Sequence, residues 1–326
     1  MKQKRRKSFI INILTLILSV LLFISYSEKS IEDPPETKVT EKTEHIEAAD
    51  ISTPVFDFLF NESPSMQEIA AEDEITNETE KETGEEIDLD LLINNDTSYQ
   101  INTEVLINKA EKVEFTNPTV LIVHTHGSEA YTPDEKNNFI PDDVDRTIDK
   151  DYNVVRVGNE LERLLEEAGI NVIHDESLHD YPTYSGSYSR SLKTIEAYME
   201  KDPSINIVID LHRDAFLSGD GTKYRTYAEV NGEPSAQLMF VIGTQEGGLK
   251  HQDWEDNLSF ALKMQIEAEE KYPKLMRPIH LRSERFNQHC TSGSMILEVG
   301  SSGNSLDEAL TAVRYFADIL ISSINS

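Results

Sequence analysis

Residues 205–212 read INIVIDLH, with apolar side chains at Ile205, Ile207, Val208, Ile209 and Leu211 and a histidine immediately after them. A run that is apolar at both odd and even positions is buried on both faces, as interior strands of a helix-covered, largely parallel sheet are. Two further runs have the same character: TVLIV at 119–123, followed by His124 and His126, and SMIL at 294–297, followed by Glu298. Between them lie segments of helical period. Residues 153–168 carry Val154, Val157, Leu161, Leu164 and Leu165 on one stripe and stop at Gly169. Helices are also expected at 189–201, at 254–272 and at 306–321, the last opened by a Ser305 to Glu308 capping box. A short strand is expected at 170–173, and a hairpin pairs 224–230 with 237–242 around Asn231-Gly232. Strands alternating with helices predict an α/β domain over 118–326: a three-layer open mixed sheet flanked by helices.

In open α/β sheets the ligand crevice lies at the carboxyl ends of the strands. His126, His212 and Glu298 each directly follow an interior strand, so residues far apart in sequence are expected to converge. His126-Gly-Ser-Glu129 sets an imidazole and a carboxylate on one loop. With His212 they form the two-histidine, one-carboxylate set of many catalytic zinc sites, which leave a fourth position open. Asp149 and Asp151, at the entrance to the 153–168 helix, are alternative carboxylates. His124 and Asp210 share strand faces with His126 and His212 and suit an orienting role behind a ligand. Glu298 suits a general base, a task that needs a dry strand end able to raise its pKa toward neutrality. Arg213, Arg282 and His289 are candidates for binding the substrate, with His289 suited to stabilising an oxyanion. Tyrosines in DYPTYSGSY, 180–188, are expected on a rim loop, where they stack on sugar or peptide or simply pack.

The rest of the chain sets the context. Its 326 residues carry a formal net charge of -30, which argues against nucleic acid, whose phosphates require a basic face. A basic N-terminus, 1–7, precedes an apolar stretch at 8–26 of about 19 residues, enough to span a bilayer as a helix. The stretch reads as a transmembrane anchor with the N-terminus cytoplasmic and the remainder outside the cell membrane, with a cleaved signal as the alternative. Residues 27–117 are rich in Glu, Thr, Ser and Asp and read as a disordered acidic linker. VFDFLF at 55–60 and IDLDLLI at 87–93 are apolar patches within it, either scattered apolar residues of the stalk or elements that dock a partner. The single cysteine, Cys290, excludes an internal disulfide and is expected to be packed rather than reactive.

The segments VLIVHTHGSEAYTP (120–133), DLHRDA (210–215) and FNQHCTSGSMILEVGSSGNSLDEA (286–309) together resemble the stage II sporulation protein P family. The last segment also resembles the glutamate-containing end of zinc N-acetylmuramoyl-L-alanine amidases. The resemblance implies a zinc-dependent cell-wall amidase, also credited with endopeptidase activity, that trims peptidoglycan during forespore engulfment. It implies His126 and His212 as zinc ligands, Glu298 as the catalytic glutamate, and partnership with the sporulation D-type lytic transglycosylase and the M-type membrane protein. One departure stands out: the amidases take their middle ligand from a Glu near the first helix, where this chain has Asp149 and Asp151. Two other readings remain at this stage. A zinc carboxypeptidase-like peptidase has the same order of His-x-x-Glu, later His and late Glu, and would need a dedicated arginine for a terminal carboxylate. A non-catalytic anchored module that binds wall or recruits partners would need none of these side chains.

Overall fold

A computed structural model describes residues 91–216 and 221–325. The expected anchor at 8–26, most of the acidic linker and the VFDFLF patch lie outside these residues. Among the described residues no helix is long and apolar enough to cross a membrane.

In chain order the elements are β1 (Ile93–Asn95), α1 (Thr103–Ala110), β2 (Thr119–Val123), α2 (Val154–Glu167), β3 (Asn171–His174), α3 (Ser187–Lys201) and β4 (Ile205–Asp214). They continue with β5 (Tyr227–Val230), β6 (Glu233–Ala236), β7 (Leu238–Gly243), α4 (Trp254–Lys271), β8 (Ile279–Arg282), a 3-10 turn (Gln288–Cys290), β9 (Gly293–Ser301) and α5 (Leu306–Asn325). Among the described residues seven strands form one mixed sheet in the order β1-β8-β7-β9-β4-β2-β3, and β5 and β6 form a separate hairpin. The strands β9, β4, β2 and β3 are mutually parallel, whereas β7 runs antiparallel to β9.

The alternation of the pleat assigns the two faces of the sheet. Val120, Ile122, Ile207, Ile209, Leu297 and Phe240 share one buried cluster with Leu161 of α2, Phe260 of α4 and Phe316 of α5. Leu121, Val123 and Val208 point the other way, against Ile195 of α3. Helices therefore cover both faces, which is why β2, β4 and β9 read as unbroken apolar runs. Local chemistry sets the helix ends. The Asn153 side chain accepts from the Val155 N–H to cap α2. Gly169 leaves that helix at φ 81°, a left-handed conformation that costs glycine nothing. Glu308 N donates to Ser305 Oγ at 3.2 Å and Ser305 N to Glu308 Oε2 at 3.1 Å, the reciprocal capping box expected before α5.

Two expectations need correction. The hairpin turns at Asn231-Gly232, both at positive φ, but the second strand is β6, four residues long, not 237–242. The latter becomes β7, which is apolar on both sides and is held inside the main sheet between β9 and β8. The linker does not extend to residue 117. Ile93 to Asn95 pair in parallel with Ile279 to Leu281, Leu92 is buried, and α1 buries Leu106 and Ala110 against the core. The apolar end of IDLDLLI thus completes the sheet of its own chain. A three-residue edge strand needs too few apolar groups to stand out in an acidic segment, and its partner lies far along the chain.

Candidate active site

His126, Glu129, His212 and Glu298 meet at the carboxyl ends of β2, β4 and β9. His212 and Glu298 are direct partners in the parallel β4–β9 ladder. His126 sits in the turn after β2, where the Glu129 N–H donates to the His126 carbonyl at 3.0 Å and folds the carboxylate back over the strand ends. The His126 and His212 rings are 5.3 Å apart and nearly perpendicular. Glu129 Oε2 lies 3.4 Å from His212 Nδ1 and accepts from the Arg213 N–H at 3.2 Å. Asp149 and Asp151 are exposed, and the Asp151 N–H donates to the Asp149 side chain within their own turn. Of the three carboxylates raised by the sequence, Glu129 is the one brought beside His212.

Burial and neighbouring charge give these groups different protonation. Burial lowers the His126 pKa to about 3, so its imidazole is neutral. For His212 burial acts in the same direction, but the carboxylates of Asp210 and Glu129 outweigh it and raise the pKa well above its ordinary value. Burial works against the charge of Glu129, yet His212 and Arg213 hold it ionised. Glu298 is the opposite case. Burial, and next the negative charge of Asp214, push its carboxyl up to about 8. A carboxyl with such a pKa can hold and release a proton near neutrality, as a general base must. Its Oε2 is buried with no hydrogen-bond partner among the described residues.

Behind these groups lies a polar frame. Asp210 accepts from the Thr125 N–H at 2.7 Å and the Thr125 hydroxyl at 2.6 Å, and its Oδ1 is 2.9 Å from His212 Nε2, off the line of a hydrogen bond. Ser191 of α3 bonds Thr125 Oγ1 at 2.7 Å, and the Asn287 amide donates to Ser191 at 2.9 Å. His124 does not touch the site directly. Its Nδ1 donates to the Leu211 carbonyl and its Nε2 meets His174 Nε2 at 2.8 Å. Gly158 of α2 leaves room for that pair, since a Cβ there would stand 2.6 Å from His174 Nε2.

Sequence reasoning did not single out the residues that roof His126. The Tyr184 ring stacks on its imidazole at 4.5 Å, with the hydroxyl 3.0 Å from Nε2. The Arg146 guanidinium lies over the Tyr184 ring at 4.9 Å. Arg146 is fixed in turn by Asp180, whose buried carboxylate takes Nη1 at 2.5 Å and also the Ser128 N–H and hydroxyl. The only sequence signal was the tyrosine-rich loop, where packing and substrate stacking read alike.

The three residues expected to bind substrate fall in different places. Arg213 is buried, its Nε donating to the Ala130 carbonyl and its Nη2 to the Asp145 carbonyl, so it clamps the 129–145 loop. Arg282 ends β8, which is antiparallel to β9, and therefore lies at the opposite end of the sheet from Glu298, bonded to Glu284. His289 belongs to the 3-10 turn that enters β9 from that same end, where burial and the charge of Arg285 lower its pKa to about 4. Cys290 packs against the α3 cluster, and burial raises its thiol to about 11, as suits an unreactive cysteine.

The donor set suits a zinc ion. Two buried imidazoles and an ionised carboxylate are the ligands of catalytic zinc sites, and His126 Nδ1 and His212 Nε2 are buried without a hydrogen-bond partner among the described residues. As they stand, no group of three or more His, Cys, Asp or Glu side chains among the described residues is disposed to hold a metal. Glu129 is turned to His212 and Arg213, and His126 Nε2 to Tyr184.

A family model described as stage II sporulation protein P matches residues 34–321, nearly the whole chain. The chain belongs to that family. Stage II sporulation protein P of Bacillus subtilis (strain 168) is 28% identical over 211 residues, which cover 61% of this chain and 49% of that protein. The chain thus spans about half the length of the curated relative it matches. Among solved structures it is similar to the N-acetylmuramoyl-L-alanine amidase AmiC2 of Nostoc punctiforme, with a TM-score of 0.36 and 12% identity over 65% of this chain and 97% of that one. It is also similar to the N-acetylmuramoyl-L-alanine amidase of Clostridium difficile 630, with a TM-score of 0.38 and 14% identity over 65% of this chain and 99% of that one.

Proposed function

We propose that this sporulation-family chain is a cell-wall hydrolase that cleaves the amide bond between N-acetylmuramic acid and L-alanine in peptidoglycan, acting during forespore engulfment. The observation that carries the reading is Glu298, a carboxyl raised to about 8 and held in register beside His212, at the strand ends that also bear His126 and Glu129. Family membership supports the setting.

His126, Glu129 and His212 would hold the zinc ion. Bound there, zinc supplies a Lewis acid for the scissile carbonyl and lowers the pKa of water. The remaining work belongs to the chain. His126 is neutral and so is ready to act as a ligand, whereas His212 must give up the proton that its two carboxylate neighbours favour. The imidazolium meanwhile compensates the buried negative charge of Glu129 and Asp210, a role that a divalent cation would take over. Asp210, fixed by Thr125, is one of the two carboxylates that hold that proton on His212. Glu298 takes the proton of the attacking water and delivers it to the departing amine. In this reading the apolar segment at 8–26 anchors the chain with its catalytic domain facing the wall. The D-type lytic transglycosylase and the M-type membrane protein are its partners.

Digestion of purified peptidoglycan with the full-length chain tests the reading. New amino termini of L-alanine that depend on His126 and Glu298 are the expected products. New reducing sugar ends, or wall digestion that persists in His126→Ala, would exclude it.

A further inference from the structure

Helix α3 covers only the β2, β3 and β4 side of its face of the sheet. On the same face, beyond Glu298, β7 presents Met239, which stands directly opposite Glu298 in the β7–β9 ladder. His280 of β8 and Asn94 of β1 follow on the next two strands, paired in register. There a groove of about 410 Å³ opens, lined by Met239, Asn94, His280 and Arg277 among others. Its lining spans β7, β8 and β1, and Met239 is the lining residue that pairs with Glu298.

Arg277 is the unusual member. Its Nη1 donates to Asp214 Oδ2 at 2.8 Å, a bond that reaches across β7 and β9 and fixes the guanidinium near Glu298. Its Nε and Nη2 are buried and have no acceptor among the described residues. Those two nitrogens are the side-by-side pair of the guanidinium fork, whose parallel N–H bonds match the two oxygens of a carboxylate. A buried donor left unmet is costly, so the arrangement favours an acceptor brought by a ligand. Because Asp214 occupies only the third nitrogen, the fork is held in place before that ligand arrives. The arginines that the sequence suggested for this work, Arg213 and Arg282, are committed to backbone carbonyls and to the far end of the sheet.

We propose that the groove seats the peptide portion of the substrate and that Arg277 is the residue that recognises a carboxylate on it, held by the Nε–Nη2 pair. The inference rests on the reading of Glu298, the ladder partner of the groove residue Met239, as catalytic.

The test is equilibrium binding to the full-length chain of a muramoyl dipeptide ending in glutamate, compared with the same compound with its carboxylates converted to carboxamides. The wild-type chain is expected to bind the acid at least 10-fold more tightly, about 1.4 kcal/mol. Arg277→Gln should bring the ratio near one by weakening the acid alone. Arg277→Lys keeps a positive charge beside Asp214 but lacks the paired donors, so its ratio should fall severalfold; it decides the matter if Arg277→Gln does not fold. A wild-type ratio near one, or a ratio preserved in either variant, would overturn the proposal. Binding is read in the presence of a metal chelator, so that no turnover consumes the ligand. Failure of wall hydrolysis therefore leaves this ratio standing, and absence of the ratio leaves hydrolysis standing.

Discussion

Glu298 and His212 are direct neighbours across the parallel β4–β9 ladder, a half-buried carboxyl beside an imidazole that Asp210 and Glu129 flank. Parallel strands are about 4.8 Å apart, so the pairing fixes the separation of Glu298 and His212 through backbone hydrogen bonds rather than through side-chain contacts. Glu298→Gln keeps the shape and removes only the proton-accepting oxygen. It should retain zinc in elemental analysis and lose about 10²- to 10⁴-fold in release of L-alanine amino termini. His126→Ala and His212→Ala should lose both metal and turnover.

The same carboxyl makes stability depend on pH. Its folded pKa, about 8, lies above the ordinary 4.5. Between those values the folded chain binds a proton that the unfolded chain has released, so the contribution of this group is fully present below pH 4.5 and is lost as pH rises to 8. Glu298→Gln removes that loss. Urea unfolding in the presence of a chelator should therefore show the variant to be more stable than wild type at pH 8.5. The advantage should amount to a few kcal/mol, since each tenfold change in proton affinity is worth about 1.4 kcal/mol, and it should shrink toward pH 5.

Tyr184 meets His126 through its ring face and its hydroxyl. A hydrogen bond at one ring nitrogen fixes the tautomer presented at the other. With Nε2 engaged, the buried and unpartnered Nδ1 is the nitrogen left for a cation. Tyr184→Phe keeps the stacking and removes the bond. Competition with a zinc chelator should show affinity reduced about 10-fold, with the melting temperature nearly unchanged.

Gly158 is where α2 passes closest to the His124–His174 pair. A methyl group there would stand 2.6 Å from His174 Nε2 and 2.8 Å from His124 Nε2. Both rings are tied down, by the Leu211 carbonyl and by Glu162, so neither can swing aside freely. Although alanine is the better helix former, Gly158→Ala should destabilise the domain by about 1–3 kcal/mol, the cost of overpacking. Denaturant unfolding measures it.

How much of this was legible in the residues follows from what each signal depends on. Strands β2, β4 and β9 are buried on both faces, so their apolar runs show in any window, and the polar residue after each run is placed by counting. Helix ends were legible for the same local reason: Asn153, Gly169 and the Ser305–Glu308 box act within four residues of themselves. Strands β1 and β8 were not, because strands of three and four residues exist only through their pairing with distant segments. Arg282 shows the limit most clearly. It ends β8 much as His212 lies near the end of β4, but β8 runs the other way, and a strand's direction is a property of the sheet.

By itself, then, the sequence determined the interior strands, the helices between them, and the convergence of His126, His212 and Glu298, since hydrophobic period and capping are local. Only the tertiary structure decided that Glu129 is the carboxylate beside His212, that Tyr184 roofs His126, and that Arg277 reaches Asp214 with two donors unmet. Each of these depends on side chains brought together from separate strands and loops, whose meeting is set by strand order and register and leaves no periodic trace along the chain.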